Sequence, residues 1–274
     1  MNMKKLPRLI ALLVFACLPL SSADAGNKTI IVQSTTSTQN SGFFDFILPK
    51  FKTQTGITVN VVAVGTGQAL KNGRNGDGDV LFVHAKSAEE QFVSDGYGVK
   101  RYDVMYNDFV IIGPEHDPAG LAGTKNIISA LQKITSSKSP FLSRGDDSGT
   151  NKKELQLWSK ANINPSQYGD NWYRETGSGM GATLNIAAGM LAYTLTDRAT
   201  WLAFKNKANL KVLSQSDPLL FNQYGVILVS PTKHPHVKKL YGEVFISWLT
   251  GKHGQSAIAE YKLNGKQLFF PNAR

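Results

Sequence analysis

Short apolar runs of β type alternate along the chain with longer stretches in which apolar residues recur every three or four positions. The runs at 29–32, 58–64, 80–83, 109–112, 141–142, 212–213 and 226–229 predict strands. Helical periodicity covers 42–55, 66–72, 88–95, 124–137, 148–161, 180–193, 198–205, 237–250 and 253–261. Strands and helices in turn predict an α/β fold with mostly parallel sheet. Two polar-to-apolar passages read as crossings between domains. One runs from Tyr102 through Asp108 into 109–112 and stops at Gly113-Pro114; the other runs from Gln223-Tyr224 into 225–229 and stops at Ser230-Pro231. Two crossings leave both ends of the chain sharing one lobe, 26–108 plus 226–274, with 109–225 as the other. A ligand then lies in the cleft beyond the carboxyl ends of the strands.

The first residues carry a different pattern. Lys4, Lys5 and Arg8 precede an apolar run from Leu9 to Leu20, and Ala23-Asp24-Ala25 follows. This is the charged, apolar and small-x-small order of a cleavable signal peptide, expected over 1–25. The run is too short for a permanent membrane anchor. The exported chain of roughly 250 residues would then contain no cysteine, because Cys17 leaves with the leader, and would rely on its core rather than on disulfides.

The formal net charge is +10, and losing Lys4, Lys5, Arg8 and Asp24 with the leader lowers it to +8. Basic residues stand singly or in pairs such as Lys152-Lys153 and Lys238-Lys239, without a block. That argues against a nucleic-acid partner and leaves a small anion as the fitting one.

Four glycine- or hydroxyl-rich junctions at helix starts supply the chemistry for such an anion. After the first β run the chain reads Gln33-Ser34-Thr35-Thr36-Ser37-Thr38, five consecutive hydroxyl residues where one would cap a helix. Val64-Gly65-Thr66-Gly67 ends another β run in the same manner, and Gly177-Ser178-Gly179-Met180-Gly181 has the same form. Ser143-Arg144-Gly145-Asp146-Asp147-Ser148-Gly149-Thr150 adds a guanidinium fork to a glycine turn and a helix start. Free first-turn N–H groups, the helix dipole and hydroxyl donors make such junctions anion sites. Each alone reads equally well as a capped helix with solvated neighbours.

Other chemistry is poorly supported. Leu70 stands where a dinucleotide fingerprint needs its third glycine, and no Gly-Lys-Ser/Thr completes a phosphate P-loop. Asp147-Ser148-Gly149 has a protease-like look, but no histidine among His84, His116, His234, His236 and His253 sits in a triad context, so no enzyme activity is expected. His84 ends the run at 80–83, which would place it near the cleft rim, but reads better as simply the start of the next helix. His234-Pro235-His236 lacks the further ligands a metal needs, so no metal site or cofactor is expected.

Taken together, Ser34–Gly42, Val64–Gly67, Gly73–Val80, Gly98–Phe109, Ser143–Thr150 and Ala192–Arg198 resemble the periplasmic solute-binding proteins of ABC importers, specifically the tungstate-binding components of Tup-type systems. The likeness covers nearly the whole exported chain. The family's Thr-Thr-Thr-Ser signature stands here as Ser34-Thr35-Thr36-Ser37, which keeps a hydroxyl at the first position. The resemblance implies a two-lobed type II periplasmic-binding-protein fold closing on a bare tetrahedral oxyanion, tungstate or molybdate. It also implies delivery to a membrane permease with its ATPase, a periplasmic location and a monomer. On this reading Thr35, Thr36, Ser37 and Thr66 hold one side of the oxyanion, and Arg144, Ser148, Gly149 and Thr150 hold the other. The 144–150 loop is also similar to that of phosphate-binding proteins, so phosphate or sulfate is the alternative ligand. A non-transport adhesin on the same fold has no positive support. Phosphate keeps a proton near neutrality and favours a carboxylate acceptor, whereas tungstate is repelled by one. Asp146 stands where that acceptor would be, and is expected to turn to local backbone or to arginine.

Overall fold

The computed structural model describes residues 28–168 and 171–273; the leader expected over 1–25, with Cys17, lies outside the described residues. The chain runs β1 (Thr29–Thr35), α1 (Thr36–Asn40), α2 (Phe43–Thr55), β2 (Thr58–Val64), α3 (Thr66–Asn75), β3 (Val80–Val83), α4 (Lys86–Ser94) and β4 (Gly98–Pro114). It continues through α5 (Ile127–Ser137), β5 (Phe141–Ser143), α6 (Gly149–Lys160), β6 (Tyr173–Glu175), α7 (Met180–Met190), β7 (Tyr193–Asp197) and α8 (Arg198–Ala203). The last large elements are β8 (Leu210–Ser214), β9 (Phe221–Val229), α9 (Lys239–Thr250) and α10 (Lys252–Glu260). No helix among the described residues is long and apolar enough to cross a membrane.

The alternating β and α pattern yields parallel sheet at both ends of the strand order β2-β1-β3-β9-β4-β7-β5-β6. β1 lies parallel between β2 and β3, and β5 lies parallel between β6 and β7. The middle is antiparallel: β9 runs against β3 and β4, and β4 runs against β7 and β8. β4 is the element common to both ends. Residues from Gly98 to Asp108 pair with β9, and those from Phe109 onward pair with β7.

The apolar side chains follow the same division. Ile30, Val32, Phe43, Phe82, Met105, Tyr224 and Phe269 belong to one buried cluster. Past Asn107 the strand alternates, as a β period of two requires. Phe109 and Ile111 enter a second cluster with Phe141, Trp158 and Tyr193, while Val110 and Ile112 enter a third with Leu142, Met180 and Leu184.

Several elements differ from the sequence expectation: α1 and β6 form where none was expected, β9 begins at Phe221 rather than 226, and two further differences have a clear cause. The strand expected at 109–112 is the end of a 17-residue strand. Its polar half hid it, because Arg101 pairs with Asp103 and Glu89, and Asp108 with Arg198. The helix expected over 180–193 stops at Met190: Leu191 turns to a left-handed φ of 51°, and Tyr193 opens β7.

Candidate functional site

The hydroxyl run spans the end of β1 and the first three residues of α1. Thr35 is the N-cap, its Oγ1 accepting from the Thr38 N–H at 3.3 Å, and it also lies 2.7 Å from Thr38 Oγ1 and 3.1 Å from Ser37 Oγ. Ser34 is turned away, donating to the Phe82 carbonyl at 2.6 Å across the sheet. Thr36 is different: its Oγ1 is buried and has no hydrogen-bond partner. A buried hydroxyl without a partner carries a desolvation cost of about 1–3 kcal/mol unless something else meets it.

Of the seven other buried side-chain atoms without a partner among the described residues, two lie in the segment expected to face Thr36 across the anion. Arg144 is 3 % exposed, its Nη2 donates to Asp146 Oδ2 at 2.6 Å, and its Nε has no partner. Thr150, in the first turn of α6, is buried with Oγ1 unpartnered. Arg144, Thr36 and Thr150 thus present orphaned polar atoms from two of the segments expected to hold an anion.

The remaining site residues bring those segments together. Thr66 Oγ1 accepts from the Gly149 N–H at 3.0 Å, and the Gly67 N–H donates to the Asp147 carbonyl at 3.2 Å. The Gly149 N–H is therefore engaged by Thr66. Ser148 caps α6, its Oγ accepting from the Asn151 N–H at 3.2 Å. Asp146 is held locally: one oxygen takes Arg144 and the other accepts from the Ser148 N–H at 3.2 Å.

His84, for which the sequence favours a helix start over a place near the cleft rim, packs directly against the hydroxyl run. It is 5 % exposed, with Nε2 3.0 Å from Ser37 Oγ and 3.2 Å from Thr35 Oγ1, and Nδ1 3.2 Å from Asn222 Oδ1. A Cβ on Gly149 would lie 3.1 Å from His84 Cε1, so the two residues form one wall. Burial chiefly, and then the Arg144 charge, lower the His84 pKa to about 4 against the opposing hydrogen bond with Asn222. Asp197, fully buried and capping α8 through Thr200, is raised by burial, against the Thr200 bonds and Arg144. Arg144 therefore sits where it acts on both groups.

Gly179 also has a larger place than its sequence suggested. It precedes α7 without a side-chain cap, and its Cβ position is 4.0 Å from Thr36 Oγ1. The same turn is bonded to Arg144, whose carbonyl accepts from the Ser178 N–H at 3.2 Å. Glycines at such a place let a helix start approach closely, a signal that a lone Gly-Ser-Gly only weakly gives. The donor set that results has one guanidinium, several hydroxyls and helix starts. It is suited to an anion held without many buried lysines.

Comparison with known proteins agrees with this chemistry. The family model described as the PBP superfamily domain matches residues 21–253. The chain is similar to the tungstate-binding protein TupA of Peptoclostridium acidaminophilum, 48 % identical over 89 % of this chain and 86 % of that one. Among solved structures, the tungstate-binding protein TupA of Desulfovibrio alaskensis is 45 % identical, with a TM-score of 0.77 over 90 % of this chain and 99 % of that one. The structure described as the tungstate ABC transporter from Geobacter sulfurreducens is 48 % identical, with a TM-score of 0.78 over 85 % of this chain and 99 % of the other. On these matches and on its fold, the chain belongs to the PBP superfamily and, within it, to the TupA family.

Proposed function

We propose that the protein is the extracytoplasmic solute-binding component of an ABC importer. It captures a tetrahedral dianion, tungstate or molybdate, as a monomer in the periplasm, and presents it to a permease energised by an ATPase, with no chemical turnover. The first lobe, 26–108 with 226–274, contributes Thr35, Thr36, Ser37 and Thr66. The second, 109–225, contributes Arg144, Ser148, Gly149 and Thr150. Thr36, Arg144 and Thr150 meet the anion directly, while Thr66 and Gly149 latch the lobes over it. Closure is a hinge motion along β4 and β9, the strands that carry both crossings, and the anion shifts the population towards the closed form.

The observation that carries this reading is that three of the eight buried, unpartnered side-chain atoms among the described residues, Thr36 Oγ1, Arg144 Nε and Thr150 Oγ1, lie on the two segments expected to hold the anion. Buried polar atoms are almost always satisfied, and three on converging segments call for a ligand of acceptors. The engagement of both Asp146 oxygens supports a fully deprotonated anion, because that carboxylate is not free to take a ligand proton. Competition calorimetry with tungstate, molybdate, phosphate and sulfate tests the proposal. Tungstate and molybdate should bind far more tightly than the other two; tight phosphate binding with no tungstate heat would overturn it.

A further inference from the structure

Beside the anion residues lies a cavity of about 550 Å³, far larger than one tetrahedral oxyanion. Its walls come from the start of α4, from α6 and from the start of β9. Three lysines line it, Lys86, Lys152 and Lys153, with Gln156 and Gln223 beside them and neither Asp nor Glu among its lining residues. Lys152 is paired with Asp147, and Lys86 Nζ lies 3.8 Å from Glu90 Oε1 on the exposed side of α4. Lys153 is half-buried and has no hydrogen-bond or ion-pair partner among the described residues.

The cavity is separated from the anion residues by a single wall. His84 and Gly149 line it, and the same two residues reach inward, His84 to Ser37 and Thr35 and Gly149 to Thr66. Breaking the Gly149–Thr66 bond opens that wall. Resting on the function proposed above, we propose that this cavity is the antechamber of the cleft. There Lys86, Lys152 and Lys153 receive a hydrated tetrahedral dianion before the wall of His84 and Gly149 closes behind it.

The geometry assigns different tasks to the two compartments. The antechamber is wide and lined by three partly exposed ammonium groups, which attract a dianion without a fixed shell of donors to strip its water. The inner site is narrow and lined by fixed neutral donors and one guanidinium, which replace that water. Cationic clefts with low-dielectric walls raise association rates by about 10- to 1,000-fold, and salt removes the gain. Holding the bound ion is then the work of the inner site alone.

The test is stopped-flow binding of tungstate to the full chain, read by tryptophan fluorescence or, where that signal is small, by rapid filtration of labelled tungstate. Three proteins are compared: wild type, K86Q/K152Q/K153Q, and K252Q/K262Q/K266Q, which removes equal charge outside the cavity. The antechamber triple should associate about tenfold more slowly at low salt, with dissociation changed less than about twofold, and the gap should vanish towards 1 M salt. The control triple should associate like the wild type. Equal slowing in both triples would mean that net charge alone steers the ion, and a loss carried by dissociation would mean that the lysines hold the bound ion. Either outcome overturns the antechamber and leaves tungstate binding standing. Failure of the wild type to bind tungstate overturns the function itself.

Discussion

His84 Nε2 accepts a hydrogen bond from the Ser37 hydroxyl, and a residue on another strand decides that direction. Asn222 Nδ2 donates to Asn107 Oδ1 at 2.6 Å, which leaves Asn222 Oδ1 as an acceptor 3.2 Å from His84 Nδ1. Nδ1 must carry the proton, so neutral His84 faces Ser37 Oγ, 3.0 Å away, with a lone pair. In that state the Ser37 proton is turned from the anion. Protonating His84 reverses the bond and frees the Ser37 hydroxyl to donate to the ligand.

Anion affinity should consequently rise as pH falls. The free-site pKa is lowered to about 4, and a dianion nearby raises it, so the bound form takes up a proton in a window that extends down to about 4. Calorimetry across this window should show wild-type affinity rising relative to His84→Gln, which cannot titrate. A constant ratio of the two affinities would show that His84 does not couple to the ligand.

Arg144 should be the most costly side chain to truncate. Its guanidinium is buried with Nε unpartnered, and its loss leaves the Asp146 carboxylate without its arginine partner beside a dianion. Removing one member of a buried charged pair costs about 2–5 kcal/mol, so Arg144→Ala should weaken tungstate binding by at least about 30-fold. Arg144→Lys keeps the charge but loses the planar fork, and should recover only part of the affinity. An affinity within twofold of wild type in Arg144→Ala would remove Arg144 from the site.

What was legible in the sequence is what depends on neighbours along the chain. The hydroxyl run and Ser148 announced helix starts because capping is a relation between residues two or three apart, and both starts formed there. Val80 to Val83 read as a strand because four buried apolar residues in a row suit the middle of a sheet. His84 was hidden because its role comes from Ser37, 47 positions before it, and Asn222, 138 positions after it. The polar half of β4 was hidden for a related reason: Asp108 pairs with Arg198, 90 positions away, so the charge that argued against a strand is neutralised only in the fold.

Gly149 should be intolerant of even one methyl group. A Cβ there would stand 2.9 Å from Thr66 Oγ1 and 3.1 Å from His84 Cε1, closer than ordinary contact. The backbone at Gly149 is not in the left-handed region, so the clash is with residues across the cleft and not with its own chain. Gly149→Ala should thus spare the unliganded protein and penalise the closed form by about 1–3 kcal/mol, the usual range for overpacking. The unliganded melting temperature should stay within a degree or two, while tungstate should dissociate faster and stabilise less. An equal fall in melting temperature with and without tungstate would show that the methyl disturbs folding rather than closure.

Glu154 should shape the dependence of stability on pH. It is buried beneath the Arg144 loop and accepts from Ser143 Oγ at 2.6 Å, Trp158 Nε1 at 2.9 Å and the Tyr173 hydroxyl at 2.9 Å. Burial outweighs these donors and pushes its pKa up from 4.5 to about 7. A raised carboxyl pKa means that the folded state holds the proton more tightly than the unfolded one. Its contribution is complete below 4.5 and is lost as pH rises through about 7, an effect of up to about 3 kcal/mol. His84 acts in the opposite sense, its contribution being complete above 6.5 and lost as pH falls through about 4. Glu154→Gln removes one of these opposing slopes. Its absolute stability should fall, because the amide nitrogen brings two hydrogens where the protonated carboxyl has one, facing the Ser143, Trp158 and Tyr173 donors. Its denaturation free energy should nevertheless decline less than that of the wild type between pH 4.5 and 7. Parallel curves for the two proteins across that window would show that Glu154 keeps one protonation state on folding.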